Sequence, residues 1–134
     1  MIQTYHGGCH CGRVRFELQA RLDHVVECNC SICRMRGALW HGSSDAGLRI
    51  VKGQEELALY QFNTNTARHY FCRHCGIHPF ARPRIAPQAW VVNVRCLDGV
   101  DLASLPMRPF DGQHWEAAAA AFLGHGTRAV AGSS

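Results

Sequence analysis

Phe71-Cys72-Arg73-His74-Cys75-Gly76-Ile77-His78-Pro79 contains a C-x-x-C turn, a knuckle whose backbone folds so that two sulfurs face one ion. One knuckle gives two ligands, so a closed tetrahedral site needs a second. Working outward, Gly8-Cys9-His10-Cys11-Gly12 supplies a C-x-C near the N-terminus. Between the two lies Cys28-Asn29-Cys30-Ser31-Ile32-Cys33-Arg34, a C-x-C-x-x-C unit. Seven of the eight cysteines therefore fall in three tight clusters, and seven is four plus three. Four thiolates close a zinc site, whereas three leave one position open for chemistry. Cys9/Cys11 and Cys72/Cys75 are the natural pair, because each adjoins a strand. Spacing alone leaves another partition open, in which one knuckle completes the middle cluster and the other binds weakly.

Two rival readings of the cysteines are disfavoured. A secreted disulfide scaffold would suit an even cysteine count. However, Met1 to His6 has neither a basic n-region nor an apolar h-region, so no secretory signal is expected. A chain of 134 residues, 47% of them hydrophobic, can build a core without staples. Cysteines one or two residues apart also suit chelation of one ion better than separate disulfides. An iron–sulfur cluster is the second rival, and zinc is preferred to both. Cys96 stands outside the clusters and reads as a buried, inert thiol.

The formal net charge is +4. Seven thiolates and two Zn²⁺ would bring it to about +1. The arginines are scattered, and Arg13, Arg15, Arg34, Arg36 and Arg73 sit beside cysteine clusters. They read as offsets to thiolate charge, so a nucleic-acid partner is not expected. No apolar run approaches ~20 residues, and no membrane partner is expected. The expectation is one cytoplasmic zinc-binding domain over residues 1–123, with a disordered tail over 124–134.

Most of the chain reads as strands and turns. Arg13-Val14-Arg15-Phe16-Glu17-Leu18 alternates, with Val14, Phe16 and Leu18 facing inward. Val25-Val26, Leu48 to Val51, Leu57 to Phe62 and Ala67 to Cys72 are further strands, with Asn63 to Thr66 a hairpin loop. Trp90 to Cys96 is the clearest strand pattern, with Trp90, Val92, Val94 and Cys96 on one face. Cys30 to Arg36 reads as a helical turn stopped by Gly37. Pro79, Pro83 and Pro87 confine their stretch to edge strand or loop. Leu102 to Leu105 reads as a short helical turn halted by Pro106. Gln113 to Leu123 is the long helix candidate, capped by Asp111 and stopped by Gly124, with no strong amphipathic face.

The three cysteine stretches resemble the glutathione-dependent formaldehyde-activating enzyme family, which also includes centromere protein V. The resemblance covers roughly residues 4 to 115. It implies a mainly β fold, a β-tent of small antiparallel sheets related to zinc ribbons. It implies that Cys9, Cys11, Cys72 and Cys75 bind a structural zinc, and that Cys28, Cys30 and Cys33 bind a catalytic zinc. The implied activity is a carbon–sulfur lyase joining or separating glutathione and formaldehyde. An all-thiolate zinc with an open position generates hydroxide poorly but suits a soft thiol ligand, which points the same way. Alternatives are a non-catalytic zinc-stabilised binding module and, further off, a nucleic-acid or chromatin adaptor.

Other candidates have plainer readings. His10, His74 and His78 lie at the knuckles and read as surface or structural groups, and His41 as an ordinary loop histidine. Arg82 and Arg84 read as solvated edge-strand arginines rather than clamps on glutathione's carboxylates. Phe80 and Trp90 read as core.

Overall fold

The alternation of Val14, Phe16 and Leu18 settles the first sheet, since all three are buried. In the computed structural model, which describes residues 2–43 and 47–124, strand β2 (Arg15–Ala20) carries Phe16 and Leu18, with Val14 just before it. It lies antiparallel between β1 (Gln3–Gly8) and β5 (Leu48–Lys52). The second sheet has seven strands: β3 (Val25–Cys28), β4 (Trp40–Ser43), β6 (Leu57–Tyr60), β7 (Arg68–Cys72), β8 (Phe80–Arg82), β9 (Trp90–Asn93) and β10 (Met107–Phe110). Their order is β10-β3-β4-β9-β8-β7-β6. Every pairing in it is antiparallel except β10 with β3. The fold is mainly β, as expected, and the knuckles give it a zinc-ribbon-like arrangement.

The period-two geometry of strands sends neighbouring residues to opposite faces. Val25, Phe80 and Val92 join Phe16, Leu18 and Leu48 in a core between the sheets. Val26, Ala81 and Val91 join Trp40 and Phe110 in a second core on the other face. Helix α1 (Ser31–Arg36) and helix α2 (Trp115–Gly124) cover that second core through Cys33, Ala119 and Phe122. The expected turn after Cys30 is α1, and Gly37 ends it at φ 68°, a left-handed conformation that glycine adopts without steric cost.

Three expectations need correction. First, β8 is an interior strand, not an edge, hydrogen-bonded to β9 and β7 on its two sides. It escapes the proline rule because its three residues lie between Pro79 and Pro83, so neither ring sits in the ladder. Second, the strand from Trp90 stops at Asn93, and Val94–Cys96 is a 3-10 turn. The Asn93 side chain causes the stop: its Oδ1 accepts from Arg95 N–H at 3.2 Å and Leu39 N–H at 3.4 Å, while Nδ2 donates to His78 O at 3.0 Å. Replacing buried Asn93 with Ala should cost about 1–3 kcal/mol in chemical denaturation, because those backbone groups lose partners. A loss under ~0.5 kcal/mol would show that the side chain does not hold this junction.

Third, the long helix begins at Trp115, after a 3-10 turn at Gly112–His114. Asp111 does not cap it, because its carboxylate takes Asn29 Nδ2 at 2.9 Å and His114 Nδ1 at 2.9 Å. The helix is described as far as Gly124, and the remainder of the tail expected to be disordered, 125–134, lies outside the described residues. The turn at Leu102–Ser104 forms as expected. Among the described residues no helix is long and apolar enough to cross a membrane.

Candidate metal centre

Cys9 and Cys11 lie in the turn from β1 to β2, Cys72 ends β7, and Cys75 lies in the turn beyond it. Backbone bonds close both turns: Cys9 N–H to Val14 O at 3.1 Å, and Gly76 N–H to Cys72 O at 2.8 Å. The four sulfurs gather within 4.8 Å of one another and could hold a metal ion. Cys9 to Cys11 and Cys11 to Cys72 are each 3.6 Å apart. Amides point at the sulfurs, Val14 N–H at Cys9 (3.3 Å) and His74 N–H at Cys72 (3.4 Å), which favours thiolates. Arg13 draws the exposed Cys11 thiol down to about 6 through hydrogen bonds from its backbone and side chain.

The second cluster sits on the opposite core. Cys28 ends β3, Cys30 precedes α1 and Cys33 lies within it, each at most 3% exposed. Their sulfurs also lie within 4.8 Å of one another. Trp40 Nε1–H donates to Cys33 Sγ at 3.3 Å. The loop carrying Cys28 and Cys30 is clamped to the segment after β10. Asn29 gives Nδ2 to Asp111 and receives Gln113 N–H at 3.0 Å, while Gln113 Nε2 donates to Asn29 O at 3.1 Å. Gly112 lies so close that a Cβ there would stand 2.6 Å from Cys28 Sγ and 2.7 Å from Cys30 Cβ.

With three sulfurs this close, ionising one raises the cost of ionising the next, and a nearby cation lowers that cost. Hydrogen bonds from Cys28 and Cys33 draw the Cys30 thiol down to about 3. The contact with Cys30 pushes Cys28 up to about 12, and the contacts with Cys28 and Cys30 push Cys33 up as well. A soft divalent cation lets all three ionise together, so the donor set fits such an ion. Two clefts adjoin the cluster. One of about 360 Å³ is lined by Cys28 and Cys33 with Glu27, Arg34 and Asp111. The other, about 440 Å³, reaches Cys30 from the side of α2.

The remaining sequence candidates separate. His41 lies on β4 rather than in a loop, and its Nδ1 is 3.0 Å from His24 O. His10 is exposed, and His74 pairs with Glu56. His78 is buried, with Nδ1 receiving Arg36 Nη1–H at 2.7 Å and its ring edge-on to Trp40. Burial, with Arg36 and His69 nearby, pulls its pKa down to about 2, so it stays neutral. Cys96 is half-buried, and burial with the sulfurs of Cys9 and Cys75 pushes its thiol up to about 12, consistent with an inert group. Of the flanking arginines, Arg13 serves a thiolate. Arg15 pairs with Asp98, and Arg73 donates to Glu55 O at 2.6 Å. Phe80 is fully buried, whereas Trp90 is only half-buried.

The match to known proteins covers this whole constellation. Residues 4–115 match the family described as "Glutathione-dependent formaldehyde-activating enzyme". The chain belongs to that family. A Halomonas elongata relative named "Putative glutathione-dependent formaldehyde-activating enzyme" is 32% identical over 97 residues, which cover 56% of this chain and 62% of that protein. The chain thus spans less than two thirds of that relative's length. A crystal structure of a Rhodobacter sphaeroides protein shares the fold at TM-score 0.69 and 43% identity, covering 76% of this chain and 98% of that one.

Sequence reasoning passed over several residues that shape the three-sulfur cluster. Asn29 had a signal, since it sits between two cluster cysteines. Trp40 and Gly112 had none, because their roles depend on strands and turns that pack together only in the fold.

Proposed function

We propose that the chain is a zinc-dependent carbon–sulfur lyase, or thiol–aldehyde adduct enzyme, acting on S-hydroxymethylglutathione in the cytoplasm. The observation that carries this reading is the buried cluster of three sulfurs, not four, with clefts on two sides. Membership of the family supports it. Cys9, Cys11, Cys72 and Cys75 would hold a structural zinc, and Cys28, Cys30 and Cys33 a catalytic one.

Zinc at a three-thiolate site supplies a binding position that favours a thiol in its deprotonated form. The chain's own residues fix the geometry. Trp40 orients Cys33 by hydrogen bonding, the Asn29–Asp111–Gln113 clamp holds the Cys28–Cys30 loop, and Gly112 leaves room for the sulfurs. Glutathione's thiol releases its proton to solvent, its thiolate attacks the formaldehyde carbon, the C–S bond forms as the carbonyl π pair moves to oxygen, and that oxygen takes a proton from solvent to give the hydroxymethyl thioether. In the lyase direction that proton leaves the hydroxyl and the C–S bond breaks.

X-ray absorption tests the reading directly. Added glutathione should raise the mean sulfur count by about half a ligand, averaged over two zincs. An unchanged sulfur shell at saturating glutathione would leave a non-catalytic zinc module in its place.

A further inference from the structure

Arg84 was expected in solvent at a sheet edge, and the fold puts it elsewhere. Pro83, fully buried, follows the interior strand β8 and fixes the chain direction just before it. The guanidinium lies 3.8 Å over the ring of Trp115, the first residue of α2. Stacking on an indole face holds the planar fork while leaving its N–H edges free to bond. Among the described residues no carboxylate lies within 4 Å of it. The Trp115 Nε1–H is buried, also without a partner among them. Both residues line the cleft of about 440 Å³ that reaches Cys30, together with Asn63, Gln113 and Glu116. That volume falls in the ~300–1,000 Å³ range of small-molecule sites.

We propose that this cleft binds the body of the thiol ligand, with Arg84 receiving a carboxylate, so that Arg84 selects amino-acid or peptide thiols over neutral ones. The inference rests on the thiol reading of the neighbouring cluster. The charge pattern picks this cleft over its neighbour. The cleft at Cys28 and Cys33 sets Glu27 and Asp111 against one arginine and repels an anion. Here one arginine faces ligand beside one glutamate, which suits a carboxylate and an ammonium group on the same molecule. A multiply charged phosphate would meet Glu116 unfavourably. Asn63 offers its side-chain amide to a peptide backbone, and Gln113, whose Nε2 holds Asn29 O, offers its Oε1.

The decisive probe is S-methylglutathione, which keeps both carboxylates and the ammonium but has no free thiol. Calorimetric titration of the metal-bearing protein should show binding that weakens about 10- to 100-fold in Arg84→Ala, the usual worth of a charged hydrogen-bonded pair. Arg84→Lys should recover part of the loss. The diethyl ester of the same compound should bind the wild type as weakly as the free acid binds Arg84→Ala. Circular dichroism and metal content check that each variant is folded, and the acid–ester comparison needs no variant. Equal affinity for acid and ester, or equal affinity in wild type and a folded Arg84→Ala, overturns the proposal, as does absence of binding. If glutathione raises the sulfur count but ignores Arg84, the thiol reading stands and this one falls. If S-methylglutathione binds through Arg84 while glutathione leaves the sulfur shell unchanged, the reverse holds.

Discussion

Cys72→Ser should leave the chain unfolded or nearly so, whereas Cys30→Ser should leave it folded with about one metal. Cys72 is fully buried in the core between the two sheets, and its partners Cys9, Cys11 and Cys75 come from chain segments more than 60 residues away in sequence or from its own turn. The four-sulfur site therefore ties the β1–β2 turn to the end of β7. Structural zinc of this kind contributes about 10–16 kcal/mol of apparent binding energy in finger peptides. A domain's whole stability is about 5–15 kcal/mol, so losing an ion held there would be enough to lose the fold. The three-sulfur cluster lies on the other face of the sheet, joins residues only a few positions apart and closes no long loop. Metal analysis with thermal unfolding by circular dichroism separates the two variants. Equal melting of Cys30→Ser and Cys72→Ser would mean that the partition into structural and reactive sites is wrong.

The second large effect should come from a single methyl group. Gly112→Ala would place a Cβ 2.6 Å from Cys28 Sγ and 3.1 Å from Cys30 N, distances at which something must shift. The yielding part is the segment from Phe110 to Gln113, which the clamp to Asn29 holds in place. Its displacement breaks that clamp and loosens the loop carrying two of the three sulfurs. Disturbing the groups that position metal ligands costs about 10- to 100-fold in metal affinity or activity. Overpacking costs the fold only about 1–3 kcal/mol. Gly112→Ala should therefore stay folded and keep its four-sulfur metal, yet surrender the other metal to a chelator at concentrations the wild type resists. A variant that kept both metals against the same chelator would show that the segment gives way without consequence.

Much of this was legible in the chain. The Val14, Phe16 and Leu18 alternation, the turn from Cys30 to Gly37 and the three cysteine spacings are local signals. Strand alternation and knuckle geometry act over a few residues, so sequence carries them intact. The misread stretches failed where a distant group overrode a local pattern. Trp90 to Cys96 alternates like one strand, but Asn93 ends it by bonding to Leu39 and His78. The proline-punctuated stretch suggests an edge, but its three free residues suffice for an interior strand. β10, with Pro109 in it, gave no strand signal, and it pairs in parallel with β3 at the sheet's edge, where a missing N–H is tolerated.

By itself, then, the sequence determined a mainly β chain with seven clustered thiols and a pattern that four and three would divide. The tertiary structure decided how they group. The long sheet sends alternate side chains to opposite faces, so it delivers Cys72 to one core and Cys28 to the other. It also brought Gly112 and Trp40 to the three-sulfur cluster, and Arg84 to the cleft beside it, from three separate parts of the chain. Such contacts are long-range, set by strand order and register rather than by neighbours in sequence, and no spacing rule reaches them.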